Sequence, residues 1–271
     1  MSPPGRGPSR ARRPPSRHPR PASRPAVELA VRDGVAWMTL ARPASGNRVD
    51  AELLGALVEA SAAAEDDDGV RVVVLAAQGP AFSLGLPRAC RWPERSWPDG
   101  VGALGGLTKP VIAAIQGAAV GWGLALALAC DLRIASTAAV LALPALGERR
   151  FPGGGVTQRL PRMIGTARAM ELVLLGTRLS AATAAAWGLV SAAVAPARLA
   201  STVEETAGAL AAKGPLALRL GKEAVVRALD LPVADGIRLE HDLYVLLQTT
   251  ADRRAGIEAF LARRKPRFGG R

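Results

Sequence analysis

Two short apolar runs constrain this chain more than anything else in it. Residues 70–76 and 110–115 are near-continuous stretches of Val, Ile, Leu and Ala. They lack the alternation of a strand with one wet face. Strands of this kind are covered on both sides, the habit of a parallel sheet with helices above and below. A glycine-bearing turn follows each run: Ala81-Phe82-Ser83-Leu84-Gly85-Leu86 after the first, and Gly117-Ala118-Ala119-Val120-Gly121-Trp122-Gly123 after the second.

The neighbouring segments fit that frame. Residues 27–31 and 35–40 are β-rich and flank Asp33-Gly34, a strong two-residue hairpin signal. Asp50 is placed to N-cap a helix running to Ala64, which Asp66-Asp67-Asp68-Gly69 ends. Residues 90–106, rich in Trp, Pro, Gly and charge, read as a surface loop. The second glycine turn leads into an apolar helix ending at Cys130, then a strand over 131–135. Strand–helix–strand thus recurs at the spacing of βαβ units. Beyond about residue 155 the pattern turns helical, with helices expected over 166–176, 181–187, 199–213, 215–228, 233–247 and 254–263. The fold class is α/β, organised as a tail (1–25), a core (26–200) and a helical C-terminal region (201–271).

Charge separates the tail from the rest. Residues 1–25 carry seven arginines and no acid, and removing these from the chain's formal +12 leaves +5 for residues 26–271. The tail holds almost nothing apolar, so burial cannot offset its ordering entropy, and disorder is expected. It reads as a solvated extension or a start placed too far upstream; nucleic-acid or anionic-lipid binding is the alternative. It lacks the apolar region of a secretory signal, and its prolines spoil the amphipathic helix of a transit peptide. No apolar stretch reaches the ~20 residues that span a bilayer. Two cysteines, Cys90 and Cys130, and two histidines make neither a disulfide scaffold nor a metal site. A reduced, cytoplasmic protein without a metal is expected.

The glycine turns carry the chemistry. The second opens a helix N-terminus, where N–H groups lack intrahelical partners and the dipole favours anions. Two such turns side by side could aim two N–H groups at one oxygen, which is an oxyanion hole.

Several separate motifs resemble the crotonase (enoyl-CoA hydratase/isomerase) superfamily. They are Phe82-Ser83-Leu84-Gly85, the run from Lys109 to Gly117, Ala129-Cys130-Asp131-Leu132-Arg133-Ile134-Ala135, Gly153-Gly154-Gly155-Val156-Thr157-Gln158-Arg159-Leu160, and the end from Ala251 to Phe268. The resemblance runs in register from about Val27 to Phe268. It implies a β-β-α spiral core, a C-terminal helical trimerisation region, and a homotrimer or dimer of trimers. It also implies an acyl thioester substrate, whose coenzyme A or acyl-carrier phosphopantetheine belongs to the substrate rather than being a cofactor; an acyl-carrier protein is then a further partner. The oxyanion donors map to the backbone N–H groups of Leu86 and Trp122. Ala44, Ser45 and Arg48 map near the CoA and Leu84 near its adenine, while Phe260 and Arg263 map to residues that reach a neighbouring subunit's CoA. Arg48 and Arg263 suit phosphate chemically.

The departures bear most on function. Counted without gaps from Lys109, the two glutamates that hydratases use are Ala125 and Ala145, and the aspartate of several isomerases is Gly153. None of these can move a proton. Trp122 is also far larger than the glycine common at its position. Three side chains are candidates to replace the lost acids: Glu148, three residues past Ala145, and His241 and Tyr244, which share one helix face at i, i+3. A non-hydratase reaction through a thioester enolate is therefore expected (decarboxylation, isomerisation or cyclisation), and returning glutamates at 125 and 145 should raise hydration. The alternative is a non-catalytic acyl-thioester binding protein.

Overall fold

The Asp33-Gly34 turn sets the edge of the main sheet. In the computed structural model, which describes residues 25–90 and 97–270, β1 (Val27–Arg32) and β2 (Val35–Leu40) pair antiparallel with Arg32 opposite Val35. Both turn residues have positive φ, 52° and 75°, the backbone whose twist matches that of the flanking strands. The tail (residues 1–24) lies outside the described residues.

α1 (Ala51–Asp66) follows, capped by the Asp50 carboxylate, which accepts from the Leu53 N–H. Then come β3 (Val72–Ala77), α2 (Gly100–Gly105), β4 (Val111–Ile115), β5 (Ala118–Val120), α3 (Trp122–Ala129), β6 (Leu132–Ser136) and β7 (Val140–Ala142). α4 (Val156–Ile164) and α5 (Thr166–Met170) precede a wide π-type turn over Glu171–Leu175. β8 (Arg178–Ser180), α6 (Ala181–Ala186), β9 (Ala192–Val194) and α7 (Leu199–Ala211) complete the core. The last three helices are α8 (Pro215–Arg227), α9 (Val233–Gln248) and α10 (Ala251–Leu261).

The main sheet runs β1-β2-β3-β4-β6-β9. Every pairing in it but β1–β2 is parallel. A second sheet, β5-β7-β8, stands apart from it. The continuous apolar run of β3 serves two cores at once. Val73 and Leu75 face the cluster containing Leu53, Leu57 and Leu124. Val72 and Val74 face Leu199, Val203, Ala207 and Ala211 of α7. Alternate residues of a strand point to opposite faces, so a strand apolar at both sets is sandwiched.

Several elements differ from the sequence expectation. The end of the 90–106 segment is not loop. α2 is capped by Asp99, whose side chain accepts from the Gly102 N–H, and it buries Gly100, Val101 and Leu104. Its glycines mask the apolar i, i+3 pair. Residues 91–96 of that segment lie outside the described residues. The strands β5, β7, β8 and β9 have three residues each, too few for any periodicity. α4 begins behind Gly153-Gly154-Gly155 and contains Pro161, both of which conceal a helix. α7, grouped with the C-terminal region by the division at residue 200, packs on the sheet, so the helices without a buried residue begin at α8.

Lys222 and Arg71 tie the last helices and the chain end to the core, and Asp252 holds the chain end to α10. Lys222 of α8 pairs with Asp131 at 2.7 Å and donates to the Lys109 carbonyl. Arg71 donates to the carbonyls of Ala211 and Phe268. Asp252, buried, accepts from the Gly269 and Gly270 N–H groups. Elsewhere they expose Val225, Val226, Leu229, Ile237, Leu246 and Phe260. No helix among the described residues is long and apolar enough to cross a membrane. Because Asp50 caps the helix that closes one face of the sheet, Asp50→Ala should lower stability by about 1 kcal/mol, read as a drop in the urea midpoint.

Candidate active site

The segment after β3 is fixed by buried polar groups. Asn47, fully buried, donates from Nδ2 to the carbonyls of Gln78 and Ala81 at 2.9 and 3.0 Å, and its Oδ1 accepts from the Arg42 N–H. Gln116 donates to the carbonyls of Ala77 and Gly79. The Ser83 hydroxyl donates to the Asn47 carbonyl at 2.7 Å and accepts from the Gly85 N–H. Ser83 also extends the second sheet: its N–H donates to Ala118, and its carbonyl accepts from Val120. The two glycine turns are thereby laced backbone to backbone.

Their approach leaves no room for side chains. A Cβ at Gly85, where φ is 71°, would lie 2.6 Å from the Val120 carbonyl oxygen and 3.3 Å from the Trp122 nitrogen. A Cβ at Gly123 would lie 2.4 Å from the Ser83 oxygen. Trp122 is the first residue of α3, and the Gly121 N–H before it donates to Ala142. Among the described residues, the N–H groups of Leu86 and Trp122 have no protein acceptor. Two free donors from abutting turns, one at a helix N-terminus, make a site for developing negative charge.

They border a cleft of about 650 Å³. Arg48, Leu84, Leu86, Trp122, Ala145, Glu148, Phe151 and Gly153 line it. A groove lined by Ala44, Ser45 and Pro87 adjoins it through Arg48. Arg48 also braces the first turn, donating to the carbonyls of Leu84 and Leu86 at 3.2 and 2.6 Å. Arg150 donates to the carbonyls of Pro87 and Arg88 and pairs with Glu148 at 3.4 Å. Glu148 is half-exposed and is the carboxylate on the cleft wall among the described residues, facing Arg48, Arg88, Arg150 and Arg178.

Position 125 is closed and position 153 is covered by the indole, while Ala145 lines the cleft. Ala125 is fully buried and does not line the cleft. A Cβ at Gly154 would sit 2.6 Å from the Ala125 Cβ, so a glutamate at 125 meets Gly154. The route to hydration by returning glutamates at 125 and 145 is therefore obstructed at 125. The Trp122 indole covers Gly153, where a Cβ would meet Cζ2 at 2.8 Å and Nε1 at 2.9 Å. Within one chain His241 and Tyr244 are exposed on α9 and away from the cleft. Phe260 lines a separate cavity of about 390 Å³ beside Phe268, and Arg263, just past α10, is exposed with φ 50°.

Sequence reading missed the supports: Asn47, Gln116, Arg150 and, at the other end of α3, Arg133. The Arg133 guanidinium is buried and donates to the carbonyls of Cys130 and Leu189 at 2.6 and 2.7 Å. It complements the negative helix end, and burial lowers its proton affinity. An arginine inside the apolar run of β6 was the available signal. Burial also raises the neighbouring Cys130 thiol from 9.0 to about 12. Among the described residues no group of three or more His, Cys, Asp or Glu is placed to hold a metal ion.

Comparison with known proteins agrees with this architecture. Residues 30–271 match the family model described as enoyl-CoA hydratase/isomerase. An (E)-benzylidenesuccinyl-CoA hydratase from Thauera aromatica is 40% identical, covering 90% of this chain and 99% of the relative. A 1,2-epoxyphenylacetyl-CoA isomerase of Escherichia coli is 37% identical, covering 89% of this chain and 97% of the relative. A solved enoyl-CoA hydratase of Bacillus anthracis superposes with TM-score 0.85 at 34% identity, covering 91% of this chain and all of that one.

The Cys130 environment gives a signed pH dependence. The unfolded chain loses this thiol's proton at lower pH than the folded one does. The stability that the neutral thiol contributes is thus complete below pH 9 and declines as pH rises toward 12. The stability difference between wild type and Cys130→Ala should shrink over that window in urea titrations at stepped pH.

Proposed function

The chain belongs to the enoyl-CoA hydratase/isomerase family, and from that premise we propose that its cleft binds an acyl thioester, on coenzyme A or acyl-carrier phosphopantetheine, and stabilises its enolate. The carrying observation is the pair of unpartnered N–H groups, Leu86 and Trp122, at the cleft wall. The thioester oxygen sits between them, and each donor supplies roughly 3–4 kcal/mol as charge develops there. Arg48, at the junction of the cleft and the Ala44–Ser45 groove, marks the carrier end. Arg88 and Arg178, without protein ion-pair partners among the described residues, suit an anionic substrate.

The reaction is not hydration. Adding water across an enoyl bond needs a base for the water and an acid for the α-carbon, and positions 125, 145 and 153 supply neither. Decarboxylation and isomerisation fit the groups present. In decarboxylation the bond to the carboxyl carbon breaks, its electrons enter the enolate held by the two N–H groups, CO₂ leaves, and the α-carbon takes a proton. In isomerisation one carboxylate removes a proton from the acyl chain and returns it to another carbon. Glu148 is the carboxylate on the wall, and it carries that proton. A relative named as a 1,2-epoxyphenylacetyl-CoA isomerase supports isomerisation of an acyl-CoA as the reaction class. The second reading, a thioester binder without turnover, draws on the sealing of positions 125 and 153. His241, Tyr244, Phe260 and Arg263 join a site only across a subunit boundary; the exposed apolar residues of α8–α10 support a homotrimer or dimer of trimers. A cytoplasmic setting and an acyl-carrier protein partner belong to the same reading.

Mass spectrometry of turnover tests this. The expected result is loss of CO₂ from a β-carboxy thioester such as methylmalonyl-CoA, or uptake of deuterium at the acyl chain from D₂O, with no gain of water on crotonyl-CoA. Water gain overturns the non-hydratase reading, and binding with neither exchange nor mass change favours the binder. Leu86→Pro removes one donor and should cut deuterium uptake 10²–10³-fold. Glu148→Gln should cut it 10²–10⁴-fold with thioester binding retained.

A further inference from the structure

The largest side chain on the cleft wall is also the one whose backbone holds the substrate oxygen. Trp122 presents its N–H from the start of α3, and its indole turns across the Gly153–Gly154 backbone. Cβ atoms placed on those glycines would lie 2.8 Å from the indole Cζ2 at 153 and 3.5 Å from its Cε3 at 154. The ring thus takes the space that side chains there would need, and Ala125 behind them is sealed. With the carrier placed past Arg48, as proposed, the acyl end of the cleft is lined by Trp122, Ala145, Phe151 and Gly153.

We infer that the Trp122 indole is a specificity-determining wall, closing the acyl end of the cleft so that it takes short-chain acyl thioesters and rejects long ones. The inference rests on the thioester reading of this cleft. Its mechanism is exclusion: a longer chain must displace a ring packed against backbone that has nowhere to retreat. Because the ring and the donor N–H belong to one residue, the test reads the ratio of two thioester affinities rather than turnover.

Isothermal titration of the full chain with butanoyl-CoA, decanoyl-CoA and free CoA tests it, comparing wild type with Trp122→Ala and Trp122→Phe. Wild type should prefer butanoyl-CoA. In Trp122→Ala the decanoyl-to-butanoyl affinity ratio should rise at least ~tenfold, the factor that fewer than two additional buried methylenes supply. Trp122→Phe should give a smaller rise in the same direction. An unchanged ratio in both variants, or equal wild-type affinity for the two thioesters, overturns the wall. Thioesters binding no better than free CoA to any of the three proteins overturns the thioester reading itself, and the wall with it.

Discussion

Everything at the site depends on how closely two pieces of backbone lie. The bonds from Ser83 to Ala118 and from Val120 to Ser83 draw the first turn onto the second sheet. Gly85 and Gly123 let the turns touch without side chains between them. The buried Asn47 amide and the partly buried Gln116 amide consume carbonyls of the approach. Among the described residues, the N–H groups of Leu86 and Trp122 are left without a protein acceptor. A polar backbone group without a partner is tolerated only where solvent or a ligand reaches it, and here both border the cleft.

The scaffold stiffens that arrangement from both ends of α3. Its first residue offers a free donor, and its last carbonyls rest on the Arg133 guanidinium. An unsatisfied C-terminus would otherwise be buried against the Val190 side of the core. Arg48 and Arg150 both brace the loop around Leu86 by donating to its backbone carbonyls. Charged side chains act here as braces on carbonyl oxygens rather than as a field alone. A guanidinium, with several donors in a fixed fork, is suited to the task.

Much of this was legible in the sequence, and the boundary of legibility is physical. The β3 and β4 runs announced a doubly covered sheet because burial on both faces leaves no polar alternation. Asp33-Gly34 and Asp50 named their own local geometry. The second sheet did not, since three residues carry no period and its pairing is wholly non-local. α2 hid behind glycines. At the site, the two glycine turns were visible in the sequence, while Leu86 and Trp122 as the donors came from the family resemblance rather than from the turns themselves. The direction of the Trp122 indole was not legible, for nothing in the order of residues says that it lies against Gly153. Nor did the blank at 125 show that the space had closed.

That ring and those glycines now constrain one another, with a consequence for the chain's history and its redesign. A side chain at 153 cannot arrive while the indole occupies its place, and the indole keeps its seat only while 153 and 154 stay bare. The order of any substitutions is thereby dictated: the tryptophan must leave before an acid can enter. Reversion one residue at a time passes through a misfit in one direction and a hollow in the other. An acid at 153 therefore calls for a change at 122 as well, and the two substitutions are coupled rather than additive.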